Sequence, residues 1–292
     1  HYPLRRQRQM CIRDRLYAVR ARLTLYEGYL LVSRLQPSQG RARLRAGLGE
    51  ARACRDISVL IGHCVIATLD GREGHFAEAF AELAEAERLM HIWDVPPVYY
   101  LAMITLVKCE LWLAQGRIDL AESWLLRLGQ TYGGEQPAAA PEFHPLLPLH
   151  IALQQALLER IQSRSDDAVQ RLASLVERGQ ASGGMMLSVS ALCQWLGLLL
   201  GEGREEQAAQ LLPRLLEAAQ GGVLQPFQPL LEQHPQWLHE QLQAVAACPV
   251  QAELLKRLPQ LPSASTGSGE ALSGRELAVL ELIAQGLSLI HI

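Results

Sequence analysis

Aromatic side chains are the strongest candidates for ligand contact in this sequence. Trp93, Tyr99, Tyr100 and Trp112 lie near one another in the chain and are suited to stacking on a sugar or another small molecule. Trp and Tyr combine a flat apolar face with a polar edge, which is what such a ligand groove requires. The same residues also suit ordinary packing between helices, so the sequence leaves both interpretations open.

Residues that hold metals or exchange protons are poorly spaced for those roles. His234 and His239 are five residues apart, which places them on different sides of a helix and argues against a zinc site. His63 and Cys64 lie in an apolar stretch, where a buried and hydrogen-bonded pair is expected. No Gly-Lys dipeptide occurs, so the chain has no phosphate-binding P-loop. We predict no catalytic, cofactor or metal site in this chain and no enzyme activity.

The composition excludes a disordered chain and a general binder of polyanions. Among the 292 residues, 49% are hydrophobic and 20% are charged, and the formal net charge is −3. Such a chain has enough apolar material for an extended core. Arginine is concentrated in residues 1–52, where its spread over several turns indicates solvated helix faces rather than a nucleic-acid patch.

Cysteine and hydropathy patterns favour a cytoplasmic protein without a membrane span. The six cysteines are scattered and form no CxxC pair, so we interpret them as reduced thiols. Residues 179–201 carry no charge, but glycine, serine and glutamine interrupt them. The uninterrupted apolar part is shorter than the ~20 residues that a membrane helix needs. We therefore expect a buried core helix in this stretch.

Four segments share a turn residue, a small residue five positions later and a leucine nine positions later. Because glycine readily adopts the left-handed conformation found at helix ends, the first position predicts a turn between two helices. The alanine allows the next helix to pack closely, and the leucine one turn further on fills the core. The four triads are Gly74/Ala79/Leu83, Gly116/Ala121/Leu125, Ser163/Ala168/Leu172 and Gly203/Ala208/Leu212.

These repeats predict an all-α fold over residues 16–258. Antiparallel helix pairs are expected to stack into a superhelix like that of tetratricopeptide (TPR) repeats. Apolar residues nearly all round predict inner helices at 98–115, 148–161 and 185–200. Residues 259–271 are rich in proline, serine and glycine, and we interpret them as a flexible linker.

Residues 272–288, LSGRELAVLELIAQGLS, begin with the signals of a capped amphipathic helix. Ser273 and Glu276 form a capping box, and Gly286 is placed to end the helix. Arg275 beside Glu276 and the Ala-x-Gly-Leu-Ser ending add to this pattern. The segment resembles the opening of the LuxR-type helix-turn-helix DNA-binding domain. By this resemblance, residues 272–292 form the truncated start of such a domain, and its recognition helix is absent.

Taken with the helical repeats, the chain is similar to the large MalT-like regulators, also called the LAL group. The resemblance implies that the repeat domain senses a small-molecule inducer or a regulatory protein. It also implies an ATPase that precedes this region in the parent protein, so ATP is expected there and no cofactor is expected here. The completed helix-turn-helix of the parent would bind DNA, and the full-length protein would form homo-oligomers.

A stand-alone repeat scaffold that binds other proteins is the alternative interpretation. The linker and the capping box argue against it, because a scaffold more often ends in a polar capping helix. Residues 1–15 and 289–292 resemble translated sequencing-adapter sequence. We expect both ends to be foreign to the protein and leave them out of the fold prediction.

Overall fold

The computed structural model describes residues 2–141 and 144–258, and within these ranges the chain is helical and contains no strand. The prediction of an all-α helical-repeat fold is confirmed. The expected linker at 259–271 and the helix-turn-helix start at 272–292 lie outside the described residues. The α-helices are α1 (Tyr2–Ser33), α2 (Pro37–Ala53), α3 (Ser58–Arg72), α4 (Phe76–Ile92), α5 (Pro97–Ala114), α6 (Ile118–Gly133), α7 (Leu147–Ile161), α8 (Ser165–Ala181), α9 (Met185–Gly201), α10 (Glu205–Ala218), α11 (Gln228–Gln233), α12 (Pro235–Ala244) and α13 (Pro249–Arg257).

The first ten helices form an inner and an outer layer. Each odd-numbered helix packs against the even-numbered helix that follows it, which gives five pairs from α1–α2 to α9–α10. The odd-numbered helices also contact one another in order, as α1–α3, α3–α5, α5–α7 and α7–α9. They therefore form a continuous inner layer, which the even-numbered helices cover from outside.

The difference between the layers follows from the distribution of apolar residues. On α8 the buried residues Ala168, Leu172, Leu175 and Val176 are spaced by four, three and one positions, so they lie on one face of the helix. On α9 the run Leu187–Val189 is buried without a break, as is Ala191–Cys193. A helix with such runs is covered on at least two sides, as the sequence predicted for the inner helices. No helix in the described ranges is long and apolar enough to cross a membrane.

The four predicted repeat turns are confirmed. Gly74, Gly116 and Gly203 have φ angles of 79°, 74° and 72°, and Ser163, which replaces glycine, has a φ angle of 59°. In the first of these turns the amide of His75 donates to the carbonyl of Asp70 at 2.8 Å, which satisfies a helix-terminal acceptor. The alanine and leucine of all four triads are at most 1% exposed.

A fifth copy of the same spacing begins at Leu35. This residue has a φ angle of 57°, and the buried Gly40 and Leu44 follow at the same offsets. Gly40 is required by close packing, since a Cβ there would lie 2.6 Å from Cγ2 of Val32. The sequence pattern did not reveal this copy, because leucine occupies the left-handed position and glycine the position of alanine.

The end of the described chain returns to its first repeat. The amide of Leu224 donates to the carbonyl of Ser33 at 2.8 Å. The guanidinium of Arg257 donates to the carbonyl of Leu35 at 2.9 Å and to that of Arg34 at 3.1 Å. Residues 219–257 therefore act as a closing segment, which connects the last helix pair to the first turn.

The repeat turns yield a prediction about stability. Replacing Gly203 by alanine should lower the free energy of unfolding by about 1 kcal/mol, because a left-handed φ is unfavourable for residues with a Cβ. Nothing lies within 4 Å of a Cβ at this position, so the effect isolates the backbone conformation. Gly49→Ala is the matched control, because Gly49 lies inside α2 with equally open space.

Urea unfolding of both variants provides the measurement. Gly49→Ala should raise the free energy of unfolding by about 0.5–1 kcal/mol, because alanine favours a helix interior over glycine. Equal effects of the two substitutions would contradict the proposed role of the left-handed turn.

Candidate ligand cavity

The inner layer lines a partly open cavity of about 500 Å³. The five inner helices, α1, α3, α5, α7 and α9, contribute to its wall, and the closing segment contributes the remaining residues. The wall residues are Tyr29, Val32 and Ser33 of α1, Val65, Thr68, Leu69 and Arg72 of α3, Glu110 of α5, His150, Leu153, Gln154, Leu157 and Arg160 of α7, Met186, Ser190, Cys193, Gln194 and Gly197 of α9, and Gln225, Pro226, Pro229, Leu230 and Gln233 of the closing segment.

Helical periodicity explains why these side chains share one cavity. On α7 the wall residues recur at intervals of one or three positions, from His150 to Arg160, and therefore form one stripe of the helix. The wall residues of α9, from Met186 to Gly197, form a similar stripe. These helices bury their other faces against neighbouring helices, so the stripe toward the cavity can hold polar side chains.

The wall is mixed in polarity, as is usual for a small-molecule site. Leucine, valine and proline provide apolar area, while Thr68, Gln154, Ser190 and Gln194 provide donors and acceptors. Oε1 of Gln154 is buried and has no hydrogen-bond partner among the described residues. A buried acceptor of this kind is unfavourable until a donor reaches it.

Of the two arginines in the wall, one forms an ion pair and the other does not. Arg72 on α3 lies 3.6 Å from Glu110 on α5 and forms an ion pair across two inner helices. Arg160, in the last turn of α7, has no ion-pair or hydrogen-bond partner for its guanidinium in the described part of the chain. The neighbouring carboxylate of Glu159 is engaged elsewhere, since Arg171 donates to it at 2.6 Å.

Desolvation lowers the pKa of two wall residues, Arg160 and His150. The guanidinium of Arg160 is accessible to solvent, yet the protein packed around it lowers its pKa by desolvation. An arginine remains charged under these conditions. Burial also lowers the pKa of His150, although its Nδ1 lies 3.0 Å from the carbonyl oxygen of Leu146, a hydrogen bond that favours the protonated form. His150 is therefore neutral at pH 7, and Arg160 provides the unmatched charge of the wall.

The structure brings together only part of the aromatic set proposed from sequence. Trp93 and Tyr100 line a separate surface depression of about 920 Å³ beside the loops that join successive repeats. Trp112 lies three helical turns beyond Tyr100 and packs against Phe80, with ring centroids 6.3 Å apart. The side chain of Tyr99 lies outside the described residues. A ligand groove formed by these residues stays a prediction.

The cavity residues were not identified from sequence, although a signal for them exists. Pairs of polar residues four positions apart interrupt the apolar inner helices, as Thr68/Arg72, His150/Gln154 and Ser190/Gln194. Such a pair marks one face of a helix that is otherwise buried. The repeat pattern alone does not show that these faces meet.

Two other clusters of ionisable residues, which could in principle bind a metal or exchange protons, have structural roles. Asp70, Glu73 and His75 place possible metal ligands within 4.8 Å of one another, but Arg41 forms ion pairs with both carboxylates. His63 is buried, and its Nδ1 lies 2.6 Å from Oε2 of Glu82, which confirms the prediction of a hydrogen-bonded core histidine.

A second histidine beside the cavity wall leads to a prediction about pH. His144 lies with its ring centroid 5.0 Å from that of His150, and desolvation together with this neighbour lowers its pKa to about 4. An unfolded chain binds a proton at His144 from about pH 6.5 downward, whereas the folded protein does not. The stabilising effect of the neutral histidine is therefore complete above about pH 6.5 and is lost as the pH falls toward about 4.

The measurement compares unfolding free energies at about pH 7 and about pH 5. His144→Gln should reduce the loss between these pH values by about 1 kcal/mol relative to the unsubstituted chain. His91→Gln, at an exposed histidine of α4, is the control and should leave the loss unchanged. A loss of the same size in all three proteins would show that His144 does not drive it.

The cavity is the structural feature from which a function is best argued. The segment that resembles a LuxR-type domain lies outside the described residues, so its geometry adds nothing to the cavity. Comparison of the chain with models of known protein families and with curated proteins gives no match.

Proposed function

We propose that this chain is the sensing and coupling region of a LuxR-type transcription activator, with TPR-like repeats that bind a small molecule in the central cavity. The observation that carries the proposal is the composition of the wall, to which the inner helix of every repeat and the closing segment contribute. A ligand in this position contacts all five helix pairs at once. Its binding energy therefore depends on how the pairs are stacked.

The closing segment provides the route from the ligand to the rest of the parent protein. Gln225, Pro226, Pro229 and Leu230 belong to the wall, and the segment ends at Arg257 on the turn at Leu35. The linker at 259–271 follows directly in the sequence. A ligand that favours one position of the closing segment thus biases the start of the linker, and this bias would reach the DNA-binding domain.

The remaining parts of the proposal rest on the resemblance carried by residues 272–288. In the parent protein, an upstream ATPase would bind ATP and drive homo-oligomerisation, and the completed helix-turn-helix would bind DNA. The helical repeats would then couple an inducer or a regulatory protein to these events in the cytoplasm.

A stand-alone scaffold for protein partners is the second candidate, and the surface of α1 favours it. Leu16, Val19, Leu23 and Tyr26 are each at least 50% exposed and recur every three or four residues along one stripe of the helix. Exposed apolar stripes of this kind occur where another helix packs. A scaffold of this type would use α1 and would not require a ligand in the cavity.

A thermal-shift screen of the whole chain against sugars, amino acids and signalling molecules tests the sensing role. A compound present at a hundred times its Kd should stabilise the folded state by about 2.7 kcal/mol. For a chain of this size that corresponds to a rise in Tm of about 4 °C. A screen without any stabilising compound would favour the scaffold instead.

Two glutamine variants then locate the binding site of any compound found. Gln194→Leu removes a donor and an acceptor from the cavity wall and should reduce the Tm shift. Gln170→Leu makes the same change at an exposed position of α8 and should leave the shift intact. Equal behaviour of the two variants would place the compound outside the cavity.

The coding sequence of the source genome tests the regulator assignment separately. The reading frame that follows Ser288 is expected to encode a scaffold helix and a recognition helix, because DNA readout requires side chains in the major groove. Sequencing of the genomic locus provides this information. A continuation without these two helices would rule out the LuxR-type assignment.

A further inference from the structure

Among the described residues, the cavity wall contains one positive charge without an acidic partner. Arg72 is matched by Glu110 in the wall, whereas the guanidinium of Arg160 has no acidic partner among the described residues. Glu159, the acidic residue beside it in the chain, is paired with Arg171 on α8. His150 is neutral and adds no charge.

Such an arrangement leaves a charged group in the wall that can accept an anion. The guanidinium is accessible to solvent, but the protein packed around it removes part of its hydration, so it attracts an anion more strongly than a fully hydrated arginine would. The last turn of α7 offers Arg160 only the partial negative charge of a helix end. An anion that enters the cavity would supply the missing partner.

The side of Arg160 that faces α9 meets a glycine, which has no side chain to cover it. Gly197 of α9 faces the guanidinium, and a Cβ at this position would lie 3.9 Å from Nη1 of Arg160 and 3.6 Å from Cδ2 of Leu230. A larger side chain would fill this space. The absence of a side chain at Gly197 leaves the guanidinium of Arg160 accessible from the side of α9.

We infer that the cavity binds a small organic carboxylate, with Arg160 as the receptor of its negative charge. This inference rests on the proposed function and specifies the chemical class of the ligand. The planar guanidinium matches a carboxylate through two parallel hydrogen bonds. One unmatched charge selects a monoanion over a polyanion.

The rest of the wall describes the body of this ligand. Leu153, Leu157 and Leu230 provide apolar contacts, while Gln154 and Gln194 offer donors and acceptors. Together they line a cavity of about 500 Å³, which a bare inorganic anion would leave largely empty. The ligand is therefore an acid with an apolar or aromatic body.

Calorimetric titration of the full chain with matched acids and amides tests the inference. The probes are octanoate, 4-hydroxybenzoate and indole-3-acetate, each with its neutral amide, and inorganic phosphate as a bare anion. At least one acid should bind at least about tenfold more tightly than its amide, because a charge-assisted hydrogen bond is stronger than a neutral one. Phosphate should bind more weakly than that acid.

Arginine variants assign the preference to one residue. Arg160→Met should reduce the affinity for the acid to that of its amide, and Arg160→Lys should retain part of the preference, because lysine keeps the charge but not the planar fork. Arg178→Met, at an exposed arginine in the last turn of α8, is the control and should bind the acid normally. Gly197→Leu keeps Arg160 and should abolish binding by filling the facing space, so the test does not depend on one variant folding.

The outcomes separate this inference from the proposed function. Equal affinities for the acids and their amides would overturn the carboxylate assignment. If Gln194→Leu weakened the binding of both, the cavity would still be the sensing site. An acid preference that survives Arg160→Met would overturn the role of Arg160. The absence of binding by every probe would overturn the inference, whereas a neutral compound found in the thermal-shift screen would still support sensing.

Discussion

The need to satisfy carbonyl groups at helix ends while reversing the chain governs this structure. A residue in the left-handed conformation meets both requirements, since it turns the backbone and lets the following amides bond back to the helix. The described chain repeats this solution at Leu35, Arg55, Gly74, Asp94, Gly116, Ser163, Gly183 and Gly203. Because successive turns have similar geometry, the helix pairs stack with a similar offset, and the inner helices come to share one surface.

The chemistry of the cavity follows from that stacking. An inner helix is covered by its partner and by two neighbouring inner helices, so one stripe remains for groups that need water or a ligand. Thr68, Gln154, Ser190 and Gln194 lie on such stripes, and none of them belongs to the repeat triads. The sequence thus separates the residues that build the array from those that give its interior a specific character.

The sequence predicted the stacked helical repeats better than it predicted the cavity. The triads have a local cause, a turn followed by close packing, and can therefore be recognised within ten residues. The copy that begins at Leu35 was not recognised from sequence, because a leucine there adopts a conformation that glycine usually adopts. The cavity depends on side chains from five helices and a distant closing segment, which no local pattern relates to one another.

The aromatic prediction shows the same limit on local reasoning. Trp93 and Tyr100 line the same surface depression, but Trp112 lies three turns further along α5 and packs against Phe80. Proximity in sequence was a poor guide here, because a helix moves a residue by 1.5 Å per position along its axis. The polar pairs on the inner helices were a better signal, since a helical period relates residues on one face.

The hydrogen bonds from Arg257 to the carbonyls of Arg34 and Leu35 join residues 223 and 222 positions apart in the chain. Contacts within the repeats join residues that are much closer in sequence, so they form with a smaller loss of chain entropy. The repeats should therefore assemble before the closing segment docks, and this segment should also be the first to open in the native state. Because several wall residues belong to this segment, its opening would widen the cavity without a dedicated gate.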